Sequence, residues 1–178
     1  MLSASAVAGP IGRRLVLCTL KNKIHSSLAD DVCDIIFFNN FYASGNVTFV
    51  NNSLDVFQWF LDYAGSHNGS TEYGIGIEHG KELDAYNDLN TAVGEAALRE
   101  FRSVKLRHYG LLNFPVHDAL MPTEETATNY DRLLKRLRSL QEVNRAGAVD
   151  EHGYLILGIG LYAPRTGKVH EYLKDLLQ

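Results

Sequence analysis

The stretch Asp34-Ile35-Ile36-Phe37-Phe38-Asn39-Asn40-Phe41 decides the fold. Residues 35–38 within it are all apolar, with no polar residue alternating between them. A strand with one face in water alternates. A strand covered by helices on one face and packed inside a barrel on the other is apolar on both. Four further segments read as buried strands, at 14–20, 73–78, 105–114 and 154–162, and most share the continuous apolar character of Leu15-Val16-Leu17 and Leu155-Ile156-Leu157.

Helical periodicity lies between them. Ser53 is placed to cap a helix carrying Leu54, Phe57, Phe60, Leu61 and Ala64. The spacing of Leu83, Tyr86, Leu89, Val93, Ala97 and Phe101 predicts a second. In the third, Thr123 is the expected N-cap, and Glu124 and Glu125 suit the positive end of the helix dipole. Tyr130, Leu133, Leu134, Leu137, Leu140 and Val143 make one stripe. Its opposite face, with Asp131, Arg132, Lys135, Arg136 and Arg138, reads as a solvated helix surface. A last amphipathic stretch covers 169–177, and the 21–31 segment has room for one helical turn at most.

Strands alternating with helices imply a mainly parallel sheet. The expected fold class is therefore α/β, an incomplete TIM-type (β/α) barrel of about five mainly parallel strands with helices. A complete barrel takes eight units in about 250 residues, whereas five strands fall within these 178. The first and fifth strands are expected to be edges. The chain is expected to be a fragment of a longer barrel; an open sheet covered by helices, or completion by a second copy, are the other outcomes. No linker divides it, so 1–178 reads as a single domain, with 1–12 a poorly ordered N-terminal segment.

Charge and composition exclude several classes. The net charge is −4 with both signs interspersed, so no basic face argues for nucleic acid. No apolar run is long enough to span a bilayer. Residues 1–10 are small and apolar, but Arg13 and Arg14 follow them, the wrong way round for a secretory signal. A cytoplasmic protein and a chain lacking its natural N-terminus both fit that pattern. Cys18 and Cys33 suffice for one bridge or are two buried thiols. Asn-x-Ser/Thr sequons at Asn46, Asn51 and Asn68 lean towards a secreted glycoprotein. Tyr73-Gly74-Ile75-Gly76-Ile77-Glu78 and Leu157-Gly158-Ile159-Gly160-Leu161-Tyr162 resemble each other, and glycine at alternate strand positions admits a close neighbour. Neither is a nucleotide loop, and no cofactor is implied.

Chemistry in barrels sits at the C-terminal ends of strands. Asn39 and Asn40 end the second predicted strand, Glu78 and His79 follow the third, Asn113 ends the fourth with His117 and Asp118 beyond, and Tyr162 ends the fifth. Glu78 is the best candidate acid, with His79 or His117 as proton partner; the plainer alternative is that Glu78-His79-Gly80 opens a solvent-facing loop. His79, His117 and Asp118 lack metal-ligand spacing, so no metal is expected. There is no G-x-S-x-G elbow, and Cys18 lies in an apolar strand, which disfavours a nucleophile at either. Phe41, Tyr42, Tyr109, Phe114 and Tyr162 lie near strand ends, where flat rings can stack on sugars. The candidate ligand-binding set is Asn39, Tyr42, Glu78, Tyr109, Asn113, Phe114 and Tyr162.

Leu17-Cys18-Thr19 followed by Cys33-Asp34-Ile35-Ile36-Phe37-Phe38 resembles the start of the family 18 glycoside hydrolases, the chitinases and chitinase-like lectins, where V-C-Y is followed by C-T-H-I-I-Y-A-F. Tyr130-Asp131-Arg132-Leu133-Leu134-Lys135-Arg136-Leu137-Arg138 is similar to the family's F-x-x-L-L-K-E-L-R, and the likeness runs over about 15–162. It implies a Cys18–Cys33 bridge. The family's fourth strand carries D-G-x-D-x-D-x-E, whose Glu is the general acid while the sugar's own acetamide is the nucleophile. Here the segment is His108-Tyr109-Gly110-Leu111-Leu112-Asn113-Phe114-Pro115-Val116. Aligned on Gly110, its acidic positions are Tyr109, Leu112, Phe114 and Val116. The resemblance therefore implies a secreted, non-catalytic relative, a pseudoenzyme that binds a carbohydrate or a protein partner. An active barrel hydrolase using Glu78 with His79 or His117, and a pure protein-interaction module, are the alternatives. An enzyme needs Glu78 buried beside a proton partner, a binder needs exposed aromatics at the strand ends, and an interaction module needs an exposed apolar patch.

Overall fold

In the computed structural model, the described residues are 3–8, 14–20, 32–43, 47–116, 123–143 and 153–161. The elements run β1 (Ser3–Ala8), β2 (Arg14–Leu20), β3 (Ile35–Phe41), α1 (Asp55–Ser66), β4 (Glu72–Ile77), α2 (Glu82–Leu89), α3 (Ala92–Ser103), β5 (Leu106–Val116), α4 (Glu124–Val143) and β6 (Leu155–Leu161). Strands β2 to β6 are all parallel, lie in sequence order and curl into a half-barrel. This is the incomplete α/β barrel that the apolar strands predict.

Strand β3 shows why its sequence does not alternate. Ile36 and Phe38 enter the large core beneath the helices, with Phe57, Phe60, Phe101 and Leu133. Ile35 and Phe37 enter a second core on the concave face, built with Leu15, Leu17, Leu112, Tyr154 and Ile156. Both faces are buried, so both must be apolar. An irregularity between Phe38 and Phe41 shifts the register, and Phe41 returns to the helix side among Phe49, Phe57 and Phe101. On β4, Tyr73, Ile75 and Ile77 face the helices. A Cβ on Gly74 would stand 2.5 Å from Phe37 Cε1 and 2.6 Å from the His108 carbonyl oxygen. Glycine there lets the Phe37 ring cross the neighbouring strand.

Several expectations change. Ser3–Ala8, inside the segment expected to be poorly ordered, pairs antiparallel with β2, Ser3 opposite Thr19 and Ala8 opposite Arg14. Strand β2 is therefore not an edge. The second predicted helix is two helices. Thr91 takes an extended conformation and its Oγ1 accepts the Gly94 N–H at 3.0 Å, which starts α3 afresh. Leu83 and Val93, placed in one apolar stripe by the sequence, are exposed. Helix α1 is not capped by Ser53; Leu54 stands at the N-cap without a side-chain bond, and Ser53 Oγ donates to Asn51 Oδ1. Thr123 does cap α4, accepting the Thr126 N–H at 3.2 Å. Val143 ends α4 exposed. Residues 21–31 and 169–177 lie outside the described residues.

Cys18 on β2 and Cys33 ahead of β3 form a disulfide, with their Cα atoms 5.9 Å apart and 15 positions between them in sequence. Both are buried against the helix-side core.

Closing a loop of that length removes denatured-state entropy. Replacing both cysteines by serine is expected to lower the unfolding free energy by about 3 kcal/mol, read from urea midpoints. Gly74→Ala is expected to cost about 2 kcal/mol or more by overpacking; an unchanged midpoint would mean that Phe37 is free to move aside.

Candidate functional site

The C-terminal ends of the parallel strands open onto the concave face. Asn39 follows Ile35 and Phe37 on that face. It is only 7% exposed, and its carboxamide makes no hydrogen bond among the described residues. A Cβ on Gly76 would lie 2.6 Å from Asn39 Oδ1 and 3.0 Å from Leu112 Cδ1, so glycine is what leaves space beneath the amide. The surroundings are apolar: Leu112 belongs to the concave core with Phe37. A carboxamide offers two donors and an acceptor. An incoming polar ligand would supply the missing partners.

Leu112 stands at one of the positions aligned with the family's acids. Another, Tyr109, faces the other way: its ring is buried under the helices and its hydroxyl donates to the Leu106 carbonyl at 3.3 Å. Burial pushes its phenol pKa up. Tyr42, also proposed as a ligand contact, has φ 66 and a buried ring. Its hydroxyl donates to Asp88 Oδ2 at 2.6 Å and accepts the Phe49 N–H at 3.3 Å. Burial first, then the Asp88 hydrogen bond, raises its pKa. Both rings are placed as core, away from the mouth. Asn113 and Phe114 lie on β5, and of them only the backbone is described; the same holds for Asn40 on β3. His117, Asp118, Tyr162 and Asn46 lie outside the described residues.

Glu78 is exposed. Its N–H donates to the Phe41 carbonyl and its carbonyl accepts the Lys81 N–H, both at 3.2 Å, which makes it the first residue of a surface turn. Gly80, at φ 82, completes that turn. His79 is drawn elsewhere: its Nδ1 is in hydrogen-bond contact with the Tyr130 hydroxyl of α4 and lies 3.4 Å from Glu82 Oε1. Glu82, 4% exposed at the start of α2, also accepts the Gly80 N–H at 2.6 Å. Burial first, then the Glu82 hydrogen bond, raises the Tyr130 pKa. The three groups form a hydrogen-bonded cluster that ties the β4–α2 turn to α4. Sequence reasoning missed Glu82 and Tyr130. Glu82 resembles an ordinary first-turn acid, and Tyr130 reads as one member of an apolar stripe; only the α2–α4 packing brings them together.

A second carboxylate–histidine pair occupies the opposite end of the sheet. His108 is fully buried on β5 and stacks on Tyr154, ring centroids 5.4 Å apart. Its Nδ1 accepts the Tyr154 N–H at 3.0 Å, so in the neutral ring Nε2 carries the proton. Nε2 lies 2.9 Å from Glu72 Oε2. The ring N–H is not aimed squarely at that oxygen, so proximity and charge carry the interaction more than alignment. The His108 contact, outweighing partial burial, holds the Glu72 carboxyl below its usual range. This pair fastens β4, β5 and β6 at their N-terminal ends, the face of a barrel that carries stability and not chemistry. Asn68, Ser70, Thr71, Lys105 and Arg107 border a shallow cleft beside it.

Among the described residues no cluster of three or more His, Cys, Asp or Glu is placed to hold a metal ion, and no helix is long and apolar enough to cross a membrane. Fold and mouth together define the class: an α/β half-barrel with a buried amide at its strand ends. No protein-family model matches the chain, and neither does any curated protein or solved structure. The likeness to family 18 therefore rests on the residues quoted for it.

A carboxyl held below its unfolded value, about 4.3 for glutamate, adds stability above that pH and loses it as pH falls through the folded value. Unfolding by urea at a series of acidic pH values is expected to show wild-type protein losing more stability than Glu72→Gln. Parallel acid limbs in the two proteins would remove Glu72 from the acid response.

Proposed function

We propose that this chain is a non-catalytic, chitinase-like binding protein of an oxidising, extracellular setting, taking a carbohydrate at the strand C-terminal mouth. The observation that carries the reading is Asn39, a nearly buried residue whose carboxamide has no hydrogen-bond partner among the described residues, set over Gly76 beside Leu112. A carboxamide beside an apolar side chain such as Leu112 suits a neutral, hydroxyl- and amide-bearing ligand. Support for the absence of catalysis comes from the β5 sequence. Tyr109, Leu112, Phe114 and Val116 stand where the family it resembles has carboxyls, and glycoside cleavage needs an acid to protonate the leaving oxygen. Support for the setting comes from the Cys18–Cys33 disulfide.

One observation favours a hydrolase instead: half-buried His79 beside Glu82 and Tyr130 lies just past a strand C-terminus, where barrel enzymes keep their chemistry. Against it, Glu78 is exposed and His79 is held by α2 and α4.

Calorimetry with a chitin tetrasaccharide tests the reading, with reducing-end release measured on the same mixture. The expected result is binding without hydrolysis, weakened about tenfold by Asn39→Ala, as loss of one hydrogen bond predicts, with an unchanged circular dichroism spectrum. Sugar cleavage would establish the hydrolase reading. Equal binding by wild type and Asn39→Ala would remove the mouth from the site.

A further inference from the structure

We propose that Asn51 and Asn68 are sites of N-linked glycosylation, presented by two loops at opposite ends of the sheet. This rests on the extracellular part of the proposed function and is independent of any ligand at the mouth.

The loop between α1 and β4 is built as a presenting arm. Asn68, Gly69 and Ser70, the whole acceptor sequon, are exposed. Both flanks are pinned. On one side the His67 N–H donates to the Tyr63 carbonyl, and the His67 carbonyl accepts Lys105 Nζ. On the other side Thr71, buried, donates its hydroxyl to the Cys33 carbonyl at 2.9 Å, which ties the arm to the disulfide. Fixed ends with three exposed residues between them leave the Asn68 amide in water without mobility in the strands it connects. A glycan there would cover the cleft beside Lys105 and Arg107 at the N-terminal ends of the strands and leave the concave mouth open.

The second arm joins β3 to α1. The Thr48 N–H donates to the Asn51 carbonyl at 2.7 Å, and the Asn51 N–H donates to Thr48 Oγ1 at 2.9 Å. This closed turn holds Asn51 at the surface. Ser53, the sequon hydroxyl, donates to Asn51 Oδ1 at 3.3 Å, so the two side chains that glycosylation requires already face each other. This contact also explains why Ser53 does not cap α1. Both positions carry a bulky polar adduct without displacing any core side chain, as modified surface loops must.

The chemistry needs an oligosaccharide carried on a lipid pyrophosphate as co-reactant. Asn Nδ2 attacks the anomeric carbon and the C–N bond forms. The C–O bond to pyrophosphate breaks, and the lipid pyrophosphate leaves with the electron pair. The displaced Nδ2 proton passes to a base of the transferase. An oxidising secretory compartment, which the Cys18–Cys33 bond also requires, is where that reaction runs.

The test expresses the full chain behind a cleavable leader in a secreting eukaryotic cell. The product is treated with peptide N-glycosidase in heavy-oxygen water, which turns each occupied Asn into a labelled Asp, and the peptides are read by mass spectrometry. The disulfide is mapped in the same sample. Label is expected at Asn51 and Asn68, lost from its own site alone by Ser53→Ala or Ser70→Ala, and kept by Ser70→Thr. Secreted, disulfide-bonded protein without label at a site overturns that assignment while the extracellular reading stands. Free Cys18 and Cys33 in secreted protein overturn the extracellular reading, and the assignment falls with it.

Discussion

The half-barrel depends on one strand that must be covered twice. Ile36 and Phe38 of β3 need the helices, and Ile35 and Phe37 need the concave core. Neither half of this demand can be met alone. Parallel pairing to β2 and β4 satisfies the β3 backbone, and the crossover helix α1 that parallel pairing requires supplies Phe57 and Phe60 for one face. The other face is met by curling the sheet so that Leu15, Leu17, Leu112, Tyr154 and Ile156 converge. Gly74 makes that convergence possible, because any side chain there would hold Phe37 off its neighbour.

Among the described residues, the buried polar groups of the sheet lie towards its ends. The two histidines show the two available solutions. His108, fully inside, accepts a backbone N–H at Nδ1 and sets Nε2 beside the Glu72 carboxylate, and so closes the N-terminal end. His79, past the end of β4, joins Tyr130 and the buried Glu82, and so attaches the helical layer at the C-terminal end. A carboxylate beside a histidine is in both places a fastening between elements. Asn39 is different: it has the burial of a structural residue without the hydrogen bonds of one.

The disulfide belongs to the same frame. It joins the strand that opens the parallel sheet to the residue that leads into β3, and through the Cys33 carbonyl it reaches Thr71 at the start of β4. Three neighbouring strands are thus tied together by one covalent bond and one hydrogen bond. The loops beyond are free to carry exposed polar sequence such as Asn68-Gly69-Ser70.

The sequence by itself determined the strand order, the parallel pairing and the absence of carboxyls along β5. Each of these follows from local pattern: runs apolar on both faces, helices between them, and the identity of Tyr109, Leu112, Phe114 and Val116. Local pattern misleads where a single backbone choice intervenes, as at Thr91, which separates α2 from α3. Only the tertiary structure decided which way a side chain faces after an irregular register. The shifts in β3 and β5 carry Phe41 and Tyr109 to the helix side, and no periodicity in the sequence announces them. The tertiary structure also decided which distant groups meet. Glu82 and Tyr130 are 48 positions apart and share a histidine because α2 packs on α4. Ser3–Ala8 is a strand because β2 offers it a free edge. Pattern fixes what a segment must bury, whereas partners are fixed by the geometry of everything buried with it.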